Sequence, residues 1–240
     1  MSEKPTSIAR NLTQSFANSS VKELCISHGK LVALKKNTIL FDEDTYMKHP
    51  YVYYLVDGIC SISGVSIEGQ EQTFLFMAPG EIIGHVPYIM AKGAHSILYS
   101  YRRPTVMTKT NCTVYKIHAD HFIAHMKNNL EFSNYLNVLL AHNYSMVIAH
   151  LKQVQEDSSA TIICRFLLQM ALNTPEGPVV PKLFTYNEIS KYFVIHEVTV
   201  SRIIGRFKQE GYLTRTSAGL LITKPDELQN IISASSDFKY

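Results

Sequence analysis

The spacing of hydrophobic positions changes character twice along the chain. From Gly29 to Ile117 apolar residues come in short runs punctuated by Gly and Pro, as in YVYYLVDGICSISGV and QTFLFMAPGEIIGH, with turn signals at Asp57-Gly58, Glu68-Gly69, Pro79-Gly80 and Lys92-Gly93. Short strands at that spacing predict an antiparallel sandwich or jelly-roll β-barrel. From Ala119 to Gln155 there is neither Gly nor Pro, which allows one helix of up to roughly 35 residues, about 50 Å long. Along it Leu136, Leu140, Asn143, Val147, His150 and Val154 step by 4, 3, 4, 3 and 4. That is a heptad seam, which predicts a two-stranded coiled coil and hence a homodimer, with polar Asn143 and His150 setting register, unless the stripe simply packs on the β-domain. The opposite stripe of Leu139, Met146 and Ile148 is left to serve the β-domain.

Beyond Gln155 the pattern shortens. Glu156 to Ser159 reads as a polar hinge, with Ser159 a cap for a helix Thr161 to Leu172, and NTPEGPVVPK reads as a loop. Thr185 with Glu188 three places on is a capping box. Ile189, Tyr192 and Phe193 then share one helical face; the pattern breaks at Val194-Ile195 and restarts with Val200, Ile203, Ile204 and Phe207. Gly211 suits a C-cap. Tyr212 to Thr214 and Leu220 to Thr223 flank a Ser217-Ala218-Gly219 turn, which makes a wing. At the other end, Ser2 to about Leu24 is a polar lead-in with one short amphipathic helix. The expected organisation is α+β: residues 1–118 a β-barrel with its lead-in, 119–157 a dimerisation helix, and 158–240 a winged helix-turn-helix.

The second helix of the pair carries Glu197, Thr199, Ser201, Arg202, Arg206 and Lys208 away from its apolar face. A short, polar, basic edge is what a recognition helix in a DNA major groove requires. Arg202 can pair with the two major-groove acceptors of guanine, and Glu197 can accept from cytosine N4. Ser201 and Thr199 suit a base edge or a phosphate, and Arg206, Lys208 and Arg215 suit phosphates. The plainer reading is an αα-hairpin with a solvated charged face. Charge separates the two readings: from Lys182 to Lys224 there are seven bases and three acids, a difference of +4, whereas the whole chain carries only +3. The positive excess is confined to this segment.

Composition, 46% hydrophobic and 18% charged over 240 residues, is that of an ordinary soluble protein with a real core. MSEKPTSIARNLTQSFANSS has no apolar leader region and no run reaches bilayer-spanning length, so a cytoplasmic protein without a membrane partner is expected. Cys25, Cys60, Cys112 and Cys164 are widely spaced, with no zinc-ligand spacing and no metal site implied. They read as small buried hydrophobes in a reducing compartment, or as a redox device if two of them meet in space or between subunits.

The order of barrel, long helix, hinge and winged helix-turn-helix resembles the cyclic-AMP receptor and fumarate-nitrate regulator (CRP/FNR) superfamily of bacterial transcription factors. YLVDGICSIS with the later PGEIIG resembles its glycine-punctuated, cyclic-nucleotide-binding-like barrel, and TYNEIS…VTVSRIIGRFKQEGYL resembles its DNA-binding helix pair. The resemblance covers roughly Lys30 to Pro225. It implies an allosteric, homodimeric regulator of a pseudo-palindromic operator in double-stranded DNA, touching RNA polymerase if it activates. The base-reading positions fall on Glu197, Val198, Ser201 and Arg202. Val198 stands where many members have Glu, and Val194 where a turn Gly is frequent. HEVTVSR most resembles regulators of halorespiration, which bind chlorinated phenols.

The effector site departs from the family's cyclic-nucleotide binders. Their Gly-Glu and Arg-Ser correspond here to Gly84-His85 and His95-Ser96, which removes the guanidinium fork that holds phosphate. Cys25 alone does not make the family's iron–sulfur cluster. No cofactor is expected, the open alternative being haem held by His85, His95 or Cys60. The remaining candidates, His85, Tyr88, Lys92, His95, Tyr99 and Tyr144, suit a small aromatic or weakly acidic ligand, unless the tyrosines are surface strand residues. The rival from another class is a cupin-like enzyme, which needs His and Glu clustered on adjacent strands. His49, His85 and His95 are instead scattered singly.

Overall fold

A computed structural model describes residues 19–42, 44–45, 48–66, 69–89 and 104–234. The chain divides into two compact units between Met146 and Val147.

The first unit opens with helix α1 (Ser19–His28) and strands β1 (Gly29–Leu34), β2 (Ile39–Phe41), β3 (Tyr51–Asp57), β4 (Cys60–Val65), β5 (Glu71–Met77) and β6 (Ile82–Ile83). A short helix α2 (Val86–Ile89), strands β7 (Thr105–Thr108) and β8 (Cys112–His118), and helix α3 (Ala119–Asn128) follow. Helix α4 (Leu130–Glu156) begins in this unit. The strands form two four-stranded antiparallel sheets, ordered β1-β8-β3-β6 and β2-β7-β4-β5. Strand β3 shows why its run is apolar throughout rather than alternating. Tyr53 and Leu55 join Cys60, Leu75, Met77, Val106 and Val114 in a core drawn from both sheets. Val52 and Tyr54 face the other way, into a second core with Cys25 of α1, Phe122 of α3, and Phe132, Tyr135, Leu136 and Leu139 of α4. A strand buried on both faces has no polar side to show.

The long helical stretch is not continuous. Asn129 leaves helical geometry at φ −125°, ψ 106°, and its Oδ1 accepts from the Phe132 N–H at 3.0 Å. A short side-chain amide that caps the next helix breaks the one before it without Gly or Pro. Helix α4 is therefore 27 residues long. It is tied to the sheets at the turn before β6, where Gly80 has φ +97° and its carbonyl accepts from the Tyr135 hydroxyl at 2.5 Å.

The second unit comprises the end of α4, then α5 (Ser159–Met170), β9 (Leu172–Thr174), β10 (Gly177–Pro181), α6 (Tyr186–Phe193), α7 (Glu197–Gln209), β11 (Leu213–Arg215), β12 (Gly219–Ile222) and α8 (Pro225–Ser233). Ser158, one residue before the expected cap, accepts from the Thr161 N–H. NTPEGPVVPK is a strand pair rather than a loop. β9 and β10 add to the wing strands in one sheet, β11-β12-β10-β9, with the prolines at strand ends or paired against β9 where a missing N–H is tolerated. Phe166 of α5 packs against Phe184, Tyr192 and Phe193 with ring centroids 5.2–5.7 Å apart. Among the described residues no helix is long and apolar enough to cross a membrane.

Burial raises the Glu81 carboxyl from 4.5 to about 7, while the hydrogen bond from the Ala78 N–H pulls the other way. The folded protein thus holds this proton more tightly than the unfolded chain. The stabilisation is complete below about pH 4.5 and is lost as pH rises toward about 7. Glu81→Gln should escape that loss, so its melting temperature should gain on the wild type between pH 5 and pH 7.5 in parallel thermal melts. A pH-independent difference would contradict the assignment.

Candidate nucleic-acid interface and sensor site

Helix α6 starts at Thr185, whose hydroxyl accepts from the Glu188 N–H at 3.2 Å, and buries Ile189, Tyr192 and Phe193. Helix α7 buries Val200, Ile203, Ile204 and Phe207, each 0% exposed. With that face fully committed, the opposite edge points outward by the 3.6-residue period alone. Glu197, Ser201 and Arg202 are exposed, and Val198 is 67% exposed. Tyr186, Glu197, Val198, Ser201 and Arg202 line one shallow groove. Helix α7 ends on a left-handed Gly211 (φ +71°), with the Tyr212 N–H returning to the Phe207 carbonyl at 2.8 Å, a Schellman-type stop.

The basic residues are not equivalent. Arg215 stands exposed on the wing. Lys208 donates to the Tyr186 hydroxyl at 2.8 Å, at the rim of a cleft of about 380 Å³ that Lys182, Thr185, Tyr186, Glu197 and Arg215 also line. Arg206 is held by Glu210, one turn on, at 2.7 Å, and is less free to meet a phosphate than its spacing implied. Thr199 is half-buried beside Val200. Lys182 and Tyr186 were not singled out from sequence. Tyr186 could have been, because the first residue after a helix cap points with its N-terminal turn.

The long helix corrects part of the expected seam. Leu136 is 2% exposed in the core beneath the sheets. His150 is 7% exposed, with its ring 4.2 Å from that of Tyr192 and 5.4 Å from that of Phe193. Neither side chain is offered to a second molecule, because each already fills an intrachain core. Leu139, as the opposite-stripe reading required, is fully buried, and Met146 packs on the core between the sheets. Ile148 is 47% exposed. The apolar positions left outward or partly outward step from Leu140 to Tyr144, Val147, Leu151 and Val154, with Tyr144 at 70%, Leu151 at 48% and Val154 at 38% exposure. Leu140, Val147 and Val154 belong to both stripes; Tyr144 and Leu151 replace Asn143 and His150, the first of which is half-buried.

Between β6 and α2, His85 is 4% exposed. Neither ring nitrogen makes a full hydrogen bond among the described residues, although the Ile82 backbone lies close enough to favour the charged form slightly. Burial outweighs that contact and lowers the imidazole to about 4, so the ring is neutral at pH 7. Tyr144 does not join it, and Tyr88, whose N–H donates to the His85 carbonyl at 3.0 Å, commits its hydroxyl elsewhere. The Tyr88 hydroxyl donates to the His49 carbonyl and its ring packs 6.2 Å from Phe122, while Tyr144 faces outward on α4. Lys92, His95 and Tyr99 lie outside the described residues. All four cysteines are buried and free, and two of them, Cys60 and Cys112, meet with Sγ atoms 3.9 Å apart.

A family model described as a cyclic nucleotide-binding domain matches residues 31–129. A second, a Crp-like helix-turn-helix domain, matches residues 163–231, so the two together span more than two thirds of the chain. The chain belongs to the CRP/FNR family of transcription regulators. Regulation of transcription, rather than cupin-type catalysis, is the family's work. Similar solved structures include FixK2 from Bradyrhizobium japonicum, at TM-score 0.69 and 17% identity over 87% of this chain and 99% of that one. CooA from Carboxydothermus hydrogenoformans, solved as a mutant, aligns at TM-score 0.67 and 17% identity over 97% of this chain and 98% of that one. The c-di-GMP responsive regulator CLP from Xanthomonas campestris aligns at TM-score 0.68 and 14% identity over 86% and 100%. No significant match to a curated protein was found.

Within this CRP/FNR-family helix pair one residue is strained. Val194 ends α6 in the left-handed region at φ 55°, ψ 42°, a conformation that a β-branched side chain adopts only at a cost of about 1–2 kcal/mol. Its side chain is 52% exposed, so little packing is lost on its removal. Val194→Gly should raise the melting temperature of the full chain by roughly 2–4 °C. A lowered melting temperature would show that the Val194 side chain stabilises the turn by more than its backbone strains it.

Proposed function

We propose that this chain is a homodimeric, sequence-specific DNA-binding regulator whose α7 reads base edges with Glu197, Val198, Ser201 and Arg202. Arg215, Lys208 and Thr199 settle the helix against phosphates, with Arg206 acting mainly through its brace to Glu210. The observation that carries this reading is the outward edge of α7, exposed because its opposite face is entirely buried. Val198 offers a methyl-sized apolar contact where many members of the family would offer a carboxylate, which favours a thymine methyl over a cytosine amine. Arg202→Ala should reduce affinity for a binding site recovered from random duplexes by about ten- to a hundredfold while leaving affinity for unrelated duplex unchanged. Arg215→Ala should weaken both alike and lower the salt dependence by about one unit of slope. If Arg202→Ala kept its site preference, Arg202 would have no reading role.

The dimer in this proposal forms along Leu140, Tyr144, Val147, Leu151 and Val154 of α4. What supports it is an apolar stripe at alternating steps of four and three, on a helix whose other stripe is committed to the β-sheets. Leu151→Asp places a charge in the seam twice, once per copy, and should raise the dimer dissociation constant by roughly a thousandfold in sedimentation experiments. An unchanged sedimentation coefficient would remove this stripe from the interface.

The proposed effector is a small, uncharged or weakly acidic aromatic molecule, a halogenated phenol among the candidates, held near His85 with Lys92, His95 and Tyr99. Support comes from the neutral, buried imidazole standing where the family's cyclic-nucleotide binders place a carboxylate. Met146 gives such a ligand a route to the helix, because it touches the core between the sheets and lies one turn from His150, which packs on α6.

A further inference from the structure

We infer that Cys60 and Cys112 form a reversible thiol modification site, a dithiol that a hydroperoxide converts to a disulfide joining the two β-sheets. Cys60 opens β4 in one sheet and Cys112 opens β8 in the other. Their sulfurs are 3.9 Å apart, so about 1.9 Å of closure brings them to the ~2.05 Å of a disulfide. Both side chains are buried, at 0% and 3% exposure. The pair lies at the end of the sandwich, however, and the Cys112 sulfur is covered by a turn without a side chain. At Gly58 (φ +96°) a Cβ would stand 2.5 Å from that sulfur. The thinness of this cover separates Cys112 from an ordinary core cysteine.

The surroundings also set the order of events. Cys112 Sγ lies 3.7 Å from the Thr110 hydroxyl and 3.5 Å from the carbonyls of Ile59 and Thr110. Hydrogen bonding from the Cys60 thiol, aided by Thr110, lowers the Cys112 thiol below the usual cysteine range, whereas the same contact, together with burial, raises Cys60. The first proton to leave belongs to the pair, and the charge resides on Cys112. The Cys112 thiolate attacks one oxygen of the hydroperoxide. The O–O bond breaks, water or an alcohol leaves with the proton given up by the thiol, and Cys112 becomes a sulfenic acid. Cys60 then attacks the Cys112 sulfur, its proton leaves with the hydroxide as water, and the S–S bond forms. Two thiols are oxidised and one peroxide is reduced. Cys25 and Cys164, pushed up to about 12 by burial, do not take part.

The test exposes the reduced, full-length protein to hydrogen peroxide, counts thiols after denaturation and maps peptides by mass. Of the four cysteines, two thiols should disappear. A peptide pair joined through Cys60 and Cys112 should appear about 2 Da lighter than the sum of its parts, and dithiothreitol should restore both thiols. Cys60→Ser should form no internal cross-link and should accumulate sulfenic acid at Cys112, trapped by dimedone. Four thiols surviving the treatment, a cross-link mapping elsewhere, or one joining two chains would each overturn the inference. If Cys60→Ser does not fold, the wild-type peptide map decides alone.

Discussion

The full burial of Val200, Ile203, Ile204 and Phe207 is the constraint on which the DNA-binding half depends. Helix α7 cannot rotate about its axis without lifting four large side chains out of the packing between it and its neighbours, helices α5 and α6 among them, and each would lose roughly 1.5–3 kcal/mol of transfer free energy. The outward edge is therefore set by packing rather than by any charged contact. Surface ion pairs such as Arg206–Glu210 refine individual side chains, but pairs of that kind contribute about 0–1 kcal/mol and could not hold a helix in register.

The same logic governs α4. A helix with two apolar stripes must satisfy both, and the chain itself satisfies one: Leu136 and Leu139 under the sheets, Met146 against the core between them, His150 on the aromatic cluster of the second unit. What remains is a stripe one helical position away, at Tyr144 and Leu151, from the one a heptad count selects. His150 is informative here. As a polar residue at a seam position it resembles a register device, yet a neutral imidazole packed at a tilt against Tyr192 is a packing element, and burial lowers its affinity for a proton accordingly.

Much of the architecture could be read from periodicity because local and tertiary preferences agree. The two turn helices, their buried faces, the wing and the glycine-marked strands all lie within a residue or two of their expected places. The exceptions have definite causes. Asn129 breaks a helix by capping the next one, a signal weaker than Gly or Pro. The β9–β10 pair was hidden by prolines that sit where no ladder donor is needed. The heptad count took in Leu136 and His150 because a 4-3 spacing cannot tell which of two neighbouring stripes the chain itself buries. Residue type alone did not show that the Tyr88 hydroxyl is spent on the His49 carbonyl or that Tyr144 faces outward, since hydroxyl and ring preferences do not fix where a side chain points. Cys60 and Cys112, 52 positions apart, are brought together by the sandwich alone.

If the Ser201–Arg202 edge of α7 reads sequence, a homodimer presents it to the duplex twice. Selection of bound duplexes from a random-sequence pool tests it most directly. An inverted repeat whose half-site centres lie about one helical turn, roughly 34 Å, apart should be enriched. Recovery of an unenriched pool, or of a single half-site without its symmetric mate, would contradict it.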